Sequence, residues 1–225
     1  MPVINLAVRV VGPPPPTATT SIVLLHGFGA GGDDLVDLSR IVEAPAGVRW
    51  LFPEAPIPLD KQGDSRAWWI IDVDRLLKEP GVDRTSEVPE GLEPVRVLIS
   101  GLIDQLEKDG TQKIILGGFS QGAMLALDVA LHRARPVAGL ALMSTTKING
   151  AAWQERLERV RGVPTFLSHG KQDPLLPFAV AQTLRDDLST AGAELDWLEF
   201  SGGHEIARPV FDGLSRLIKR VATGA

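Results

Sequence analysis

Short apolar runs alternate along the chain with segments whose apolar residues recur at three- and four-residue spacing. That alternation predicts an α/β protein with a mainly parallel sheet. Ile4 to Val11 alternates apolar and polar positions, as an exposed edge strand does. Ser21 to Leu25 reads as a continuous run, the pattern of a strand covered on both faces. The runs Val48 to Phe52, Lys113 to Leu116, Val137 to Met143, Thr165 to Ser168 and Glu194 to Phe200 predict further strands. Leu92, Val95, Ile99, Leu102 and Leu106 share one face of a helix, and Val210, Leu214, Leu217, Ile218 and Val221 do so in the last one. The prolines Pro13 to Pro16 cannot donate sheet hydrogen bonds and predict a stiff connector rather than a docking motif. From Asp72 to Pro89 the chain is charged, weakly periodic and interrupted at Pro80 and Gly81. Residues 72–90 are therefore expected to form a cap or lid excursion above the sheet.

Composition narrows the field. With 225 residues and 44% hydrophobic content, the chain can bury a sizeable core and is expected to form one domain over 1–225. A net charge of -5 and the lack of any dense Lys/Arg run argue against a nucleic-acid groove or an anionic membrane patch. There is no cysteine, which excludes disulfides, a thiolate nucleophile and Cys-bound metal clusters. The opening MPVINLAVRV lacks a basic n-region and a signal-length apolar core, and no later stretch reaches spanning length. The expectation is a cytoplasmic protein without stable membrane anchoring.

Two glycine-rich turns carry candidate chemistry. In the first, Gly27, Gly29 and Gly32 satisfy G-x-G-x-x-G after a strand, with Glu54 at the end of the next strand. This is the layout of a dinucleotide site. Against it, the helix such a turn would open starts with Asp33 and Asp34, two carboxylates where a pyrophosphate should sit. The second, Gly118-Phe119-Ser120-Gln121-Gly122, fits G-x-S-x-G between a strand and the apolar run Ala123 to Leu131. A nucleophilic serine on so tight a turn needs small residues two positions to either side. The helix that follows aims its first amides at a developing oxyanion.

A serine hydroxyl needs a base, and the base needs an acid to orient it. On a strand-turn-helix elbow these follow in the order Ser, Asp/Glu, His. His26 precedes the serine, and His132 closes the helix directly after it, where a cation suits the C-terminus. His169 ends a predicted strand and is assigned to a structural loop. His204 follows the strand Glu194 to Phe200 through Ser201-Gly202-Gly203, and it alone comes after a suitably placed acid. That acid is Asp173, past a strand end and before Pro174, whereas Asp196 and Glu199 lie inside a predicted strand. The His26-Gly27-Phe28-Gly29 turn then supplies the second oxyanion amide: the backbone N–H groups of Phe28 and Gln121 are the expected donors, with neither side chain required.

Assembled, these residues resemble the phospholipase/carboxylesterase family of α/β-hydrolases, which includes acyl-protein thioesterases and small bacterial carboxylesterases. The resemblance rests on Leu25-His26-Gly27, Phe52-Pro53-Glu54-Ala55-Pro56 and Arg66-Ala67-Trp68-Trp69. It continues through Gly117 to Ala123, His169 to Pro177, and Gly203-His204. It implies the α/β-hydrolase fold and hydrolysis of carboxylic esters, thioesters or lysophospholipids through an acyl-serine, with no metal and no cofactor. By the same analogy Trp68, Trp69, Leu175 and Leu176 line an acyl pocket or are simply core, and Arg66 holds its loop through an ion pair. After Trp68 the chain departs from the thioesterase-like pattern, reading Trp69-Ile70-Ile71-Asp72. That favours a general esterase acting on a small-molecule ester. Serine peptidase chemistry uses the same residues but fits a single small domain less well. A non-catalytic ligand-binding member of the fold is the alternative from another class, and it predicts a broken triad. A nucleotide-dependent oxidoreductase built on Gly27, Gly29 and Gly32 is the third.

Overall fold

A computed structural model describes residues 6–15, 17–79 and 81–224. Seven strands form the central sheet. They are β1 (Val8–Val11), β2 (Thr20–Leu25), β3 (Val48–Pro53), β6 (Lys113–Phe119), β7 (Gly139–Met143), β8 (Pro164–Gly170) and β9 (Glu194–Phe200). Their order is β1-β3-β2-β6-β7-β8-β9. Only β1 pairs antiparallel with its neighbour; the rest of the sheet is parallel. A small separate pair, β4 (Ile57–Pro58) with β5 (Arg66–Ala67), stands beside it. The helices are α1 (Leu38–Ile41), α2 (Val73–Lys78), α3 (Leu92–Lys108), α4 (Gln121–His132), α5 (Gly150–Gln154), α6 (Phe178–Thr190) and α7 (Arg208–Thr223).

Strand periodicity sorts side chains into two layers. Val23 and Leu25 of β2 pack with Ile99 of α3 and Leu184 of α6 on one face, while Ile22 and Leu24 pack with Leu214 and Ile218 of α7 on the other. The parallel strands are buried on both faces because helices cover both, as βαβ crossovers require. Helix α4 runs through the middle of the molecule, and every residue from Gln121 to Leu131 is buried. Its single buried charge, Asp128, is held by Arg96 Nε at 2.5 Å and Trp153 Nε1 at 2.8 Å. A buried carboxylate so placed fixes the helix against α3 and α5, because losing one partner strands a charge.

The α/β architecture follows the periodicity, with instructive differences in extent. Strand β6 runs past Leu116 through Gly117 and Gly118 to Phe119, and β8 runs past Ser168 to Gly170. Glycines carry no side-chain period, so the pattern stopped short there. At Gly117 a Cβ would stand 2.6 Å from that of Ala141, so the close strand approach itself demands glycine. The run from Val137 forms a strand only from Gly139. The edge strand forms over Val8–Val11; Ile4 and Asn5, like Pro16 and Pro80, lie outside the described residues. In α3 it is Ile103 that is buried, while Leu102 is only partly covered. Within 72–90, α2 buries none of its residues.

Candidate active site

The parallel strands β2, β6, β8 and β9 end on one side of the sheet, and the chemistry-bearing residues emerge there. Ser120 follows β6 and caps α4 with φ 53° and ψ −118°. A non-glycine residue held there stores about 1–3 kcal/mol. The surroundings impose it. Ser120 N donates to Met143 O at 2.9 Å. A Cβ on Gly118 would stand 2.7 Å from the carbonyl carbon of Gly122, and one on Gly122 would stand 2.6 Å from His26 O and overlap Leu25 O. The glycine spacing is thus a steric consequence of threading the turn against the end of β2.

His204 reaches the serine from the loop after β9. The amides of Lys171 and Gln172 donate to Phe200 O and Gly202 O at 2.9 Å, binding that loop to the one after β8. Ser144 Oγ donates to Glu205 O at 3.2 Å from the end of β7. His204 Nε2 lies 2.8 Å from Ser120 Oγ, and Nδ1 lies 2.7 Å from Asp173 Oδ2. A carboxylate only accepts, so Nδ1 carries the proton and Nε2 presents its lone pair to the serine hydroxyl. Asp173 Oδ1 accepts from the amides of Leu175 and Leu176, both at 2.9 Å. Burial pushes the Asp173 carboxyl up, but the hydrogen bond and charge of His204 and the two amides outweigh it. The net shift is below the ordinary carboxylate value.

His169 is not a loop residue. It lies within β8, fully buried beneath Asp173. Its Nε2 donates to Leu176 O at 3.0 Å and stands 3.4 Å from Asp173 Oδ2, and Nδ1 has no partner among the described residues. Burial pushes its pKa down, so the ring is neutral. His132 donates through Nδ1 to Asp128 O at 2.7 Å near the end of α4.

The glycine-rich turn does not open a helix at Asp33 and Asp34. The chain makes successive turns, and α1 begins only at Leu38. Other parts of the chain pack directly on the turn: a Cβ at Gly31 would lie 2.8 Å from Asp64 O, and one at Gly32 2.9 Å from Glu54 Cβ. Glu54 also stands 3.6 Å from Arg66 Nε. The dinucleotide reading therefore lacks its helix, and the turn is closed in by Asp64 and Glu54. Instead, Gly27 packs against Ser120, its Cβ position 3.5 Å from the serine Cβ. Gly29, at φ 84°, donates to Arg66 O at 2.8 Å. Arg66 Nη2 in turn donates to Pro56 O at 3.2 Å. The backbone amides of Phe28 and Gln121, on opposite sides of Ser120 in sequence origin, donate to no group among the described residues.

Two sets of contacts escaped the sequence reading, and one of them settles Trp68 between pocket and core. The Gln121 side chain is fully buried: Oε1 accepts from Trp68 N at 3.0 Å and Nε2 donates to Trp69 O at 2.8 Å. It clips the Trp68–Trp69 loop to the Ser120 turn, a structural task separate from the backbone role expected of Gln121. Trp68 is wholly buried, with Nε1 donating to His26 O at 3.0 Å, and does not line the cleft. Nothing local could show either, since the partners lie 42 to 53 residues apart.

Above Ser120 opens a cleft of about 610 Å³, walled by Trp69, Ile70, Met124, Ile148, Leu175 and Leu176. Phe28 and His204 also face it. A groove of about 310 Å³ between α1, Phe211 and Glu205 reaches His204 and Phe119 from another side. The outer wall of the larger cleft comes from α2 and residues 84–89. Two ion pairs join these limbs, Arg75 with Glu87 at 2.9 Å and Arg84 with Glu79 at 2.7 Å, and two more lie within them, Arg75 with Glu79 at 3.5 Å and Arg84 with Glu87 at 3.2 Å. The returning limb is seated on the body, where the amides of Asn149 and Gly150 donate to Glu87 O and Thr85 O at 2.8 Å. No helix among the described residues is long and apolar enough to cross a membrane.

Comparison with known proteins places this geometry. The family model described as Phospholipase/Carboxylesterase matches residues 6–221. Acyl-protein thioesterase 1 of Cryptococcus neoformans var. neoformans is 29% identical over 198 residues, covering 85% of this chain and 80% of that protein. Carboxylesterase SOBER1 of Arabidopsis thaliana is 27% identical over 219 residues, covering 92% of this chain and 93% of that protein. The crystal structure of esterase PE8 superposes with a TM-score of 0.78 at 24% identity, covering 97% of this chain and 100% of that one, a likeness of fold.

Proposed function

The chain belongs to the phospholipase/carboxylesterase family, a family of α/β-hydrolase enzymes, and from that premise we propose that it cleaves carboxylic esters through an acyl-enzyme formed on Ser120. The observation that carries the reading is the unbroken hydrogen-bond chain from Ser120 Oγ through His204 to Asp173, at 2.8 and 2.7 Å.

In the proposed reaction, Ser120 Oγ attacks the carbonyl carbon while His204 Nε2 takes the hydroxyl proton. The carbonyl electron pair moves onto its oxygen, which the amides of Phe28 and Gln121 receive; each such donor is worth about 3–4 kcal/mol in the transition state. Asp173 stabilises the imidazolium and holds its tautomer. The tetrahedral carbon then expels the alkoxide, to which His204 returns the proton. Water repeats the sequence: it gives a proton to His204, attacks the acyl carbon and releases the carboxylic acid, and the proton goes back to Ser120.

The acyl chain is assigned to the cleft walled by Trp69, Ile148, Leu175 and Leu176, which is apolar and large enough for more than an acetyl group. The 72–90 segment acts as the cap of that cleft. A thioester substrate is the second reading, favoured by the relatives named acyl-protein thioesterase; a thiolate is the better leaving group and asks less of His204 as acid. The test is hydrolysis of p-nitrophenyl esters from acetate to palmitate, with matched thioesters, by wild type and Ser120→Ala. Loss of about 10⁴-fold or more in the variant is expected. An active Ser120→Ala, or a wild type inert on every ester, would overturn the reading.

A further inference from the structure

His26 fails the chain-order requirement for a base, yet it is buried, polar and one residue from the turn that faces Ser120. Its Nε2 accepts the Ala55 amide at 3.0 Å, so that nitrogen carries no proton. The proton therefore sits on Nδ1, which donates to Gly27 O at 2.8 Å. The tautomer is fixed by partners on both sides. Burial pushes the ring's pKa down, against the Gly27 carbonyl and the Asp34 and Glu54 carboxylates and with Arg66, which keeps it neutral.

Gly27 O belongs to the same peptide unit as Phe28 N–H. In a trans peptide the carbonyl and the N–H lie in one rigid plane and point in opposite directions. Gly27 O also accepts from Ala30 N at 3.3 Å, so both of its acceptor directions are used. Pinning the oxygen aims the hydrogen. We propose that His26 is a positioning residue of the oxyanion hole, holding the Gly27–Phe28 peptide by Nδ1–H so that Phe28 N–H faces the reacting carbonyl. The donation to Gly27 O also polarises the peptide and strengthens its N–H as a donor. Trp68 Nε1, on His26 O at 3.0 Å, holds the preceding peptide, and its ring lies 5.4 Å from the imidazole. The sequence His-Gly-Phe-Gly thus codes for an aimed amide as well as for a flexible turn.

The inference rests on the acyl-serine reading, and one ligand pair tests the two separately. An aliphatic trifluoromethyl ketone adds Ser120 Oγ to its carbonyl carbon and places an oxyanion in the hole as the proton passes to His204. The carboxylate of the same chain length only fills the cleft. In His26→Gln the side-chain amide occupies the Nε2 position, keeping a partner for Ala55 and losing the donor to Gly27 O. His26→Asn does the reverse. His26→Gln is expected to weaken the ketone about 10- to 100-fold, less than deletion of a donor outright, with carboxylate affinity unchanged. His26→Asn is expected to stay within about threefold of wild type at a similar Tm loss. Equal ketone affinities in both variants, or losses that track Tm, would overturn the proposal. In wild type, ¹⁵N NMR of the histidines needs no variant: a His26 ring protonated at Nε2 rather than Nδ1 would also overturn it. If Ser120→Ala binds the ketone as wild type does, the acyl-serine reading fails instead.

Discussion

The Ser120 turn and the 72–90 segment that walls the cleft are built on opposite principles. Around Ser120 the backbone is over-determined, with the end of β2, β6 and α4 meeting so closely that Gly118 and Gly122 have no room for a Cβ. In the cap, α2 buries nothing and is held chiefly by paired charges. Strain of the kind stored at Ser120 persists only where packing leaves no alternative. A segment that only walls a cleft can instead be held by contacts that exchange readily with water. The difference teaches where variation is tolerated: little at the buried Ser120 turn, more in the exposed 72–90 segment.

Substitution of glycine probes the contrast most severely. Gly122→Ala forces a Cβ onto the Leu25 carbonyl, and a loss above about 4 kcal/mol is expected, read as failure to fold or a collapsed thermal transition. Gly81→Ala in the cap meets nothing within 4 Å among the described residues and should cost only about 1 kcal/mol, from its φ of 76°. Equal costs would erase the distinction.

Next comes Gln121→Ala, which strands Trp68 N and Trp69 O at about 1–3 kcal/mol each. Thermal melts should show the loss, and the preference for acyl length should broaden as Trp69 loosens. An unchanged melting curve would mean that water replaces the clip.

A smaller effect follows acidification. Folding lowers the pKa of both His26 and His169 from 6.5, so below that pH the unfolded chain takes up their protons first. Stability is then full above about pH 6.5 and declines as pH falls through the folded values. Asp173, also lowered by folding, adds a decline only below its ordinary value of 3.8. Tm should fall between pH 7 and 5, and His169→Gln should flatten that slope. A Tm that rises on acidification would show the buried rings to be protonated in the native state. The smallest stability effect is expected of Arg75→Ala: exposed ion pairs contribute little. Its Tm should match wild type while the chain-length profile shifts, and a large Tm loss would make the cap part of the core.

What the sequence disclosed followed from local chemistry. The strand-turn-helix context of Ser120 and the order Ser120, Asp173, His204 could be read because steric and topological rules act along the chain, and the structure brings the three within hydrogen-bond reach. The continuous runs Ser21 to Leu25 and Val48 to Phe52 likewise reflect a sheet covered on both faces. The extension of β6 through Gly117 and Gly118 left no side-chain period to detect. Trp68, placed by analogy between pocket and core, is core, and Asp33 and Asp34 open no helix. The Gln121 clip and the His26 clamp depend on partners at Trp68, Trp69 and Ala55, far along the chain. Each is an ordinary polar residue until the fold buries it.

The central claim is that Ser120 forms the covalent bond to substrate. It is tested most directly by reacting the protein with a fluorophosphonate ester and mapping the modified peptide by mass spectrometry, with Ser120→Ala alongside. The account predicts one adduct per chain, on Ser120, lost in the variant together with ester hydrolysis. An adduct on another residue, or hydrolysis that continues while Ser120 stays unmodified, would contradict it.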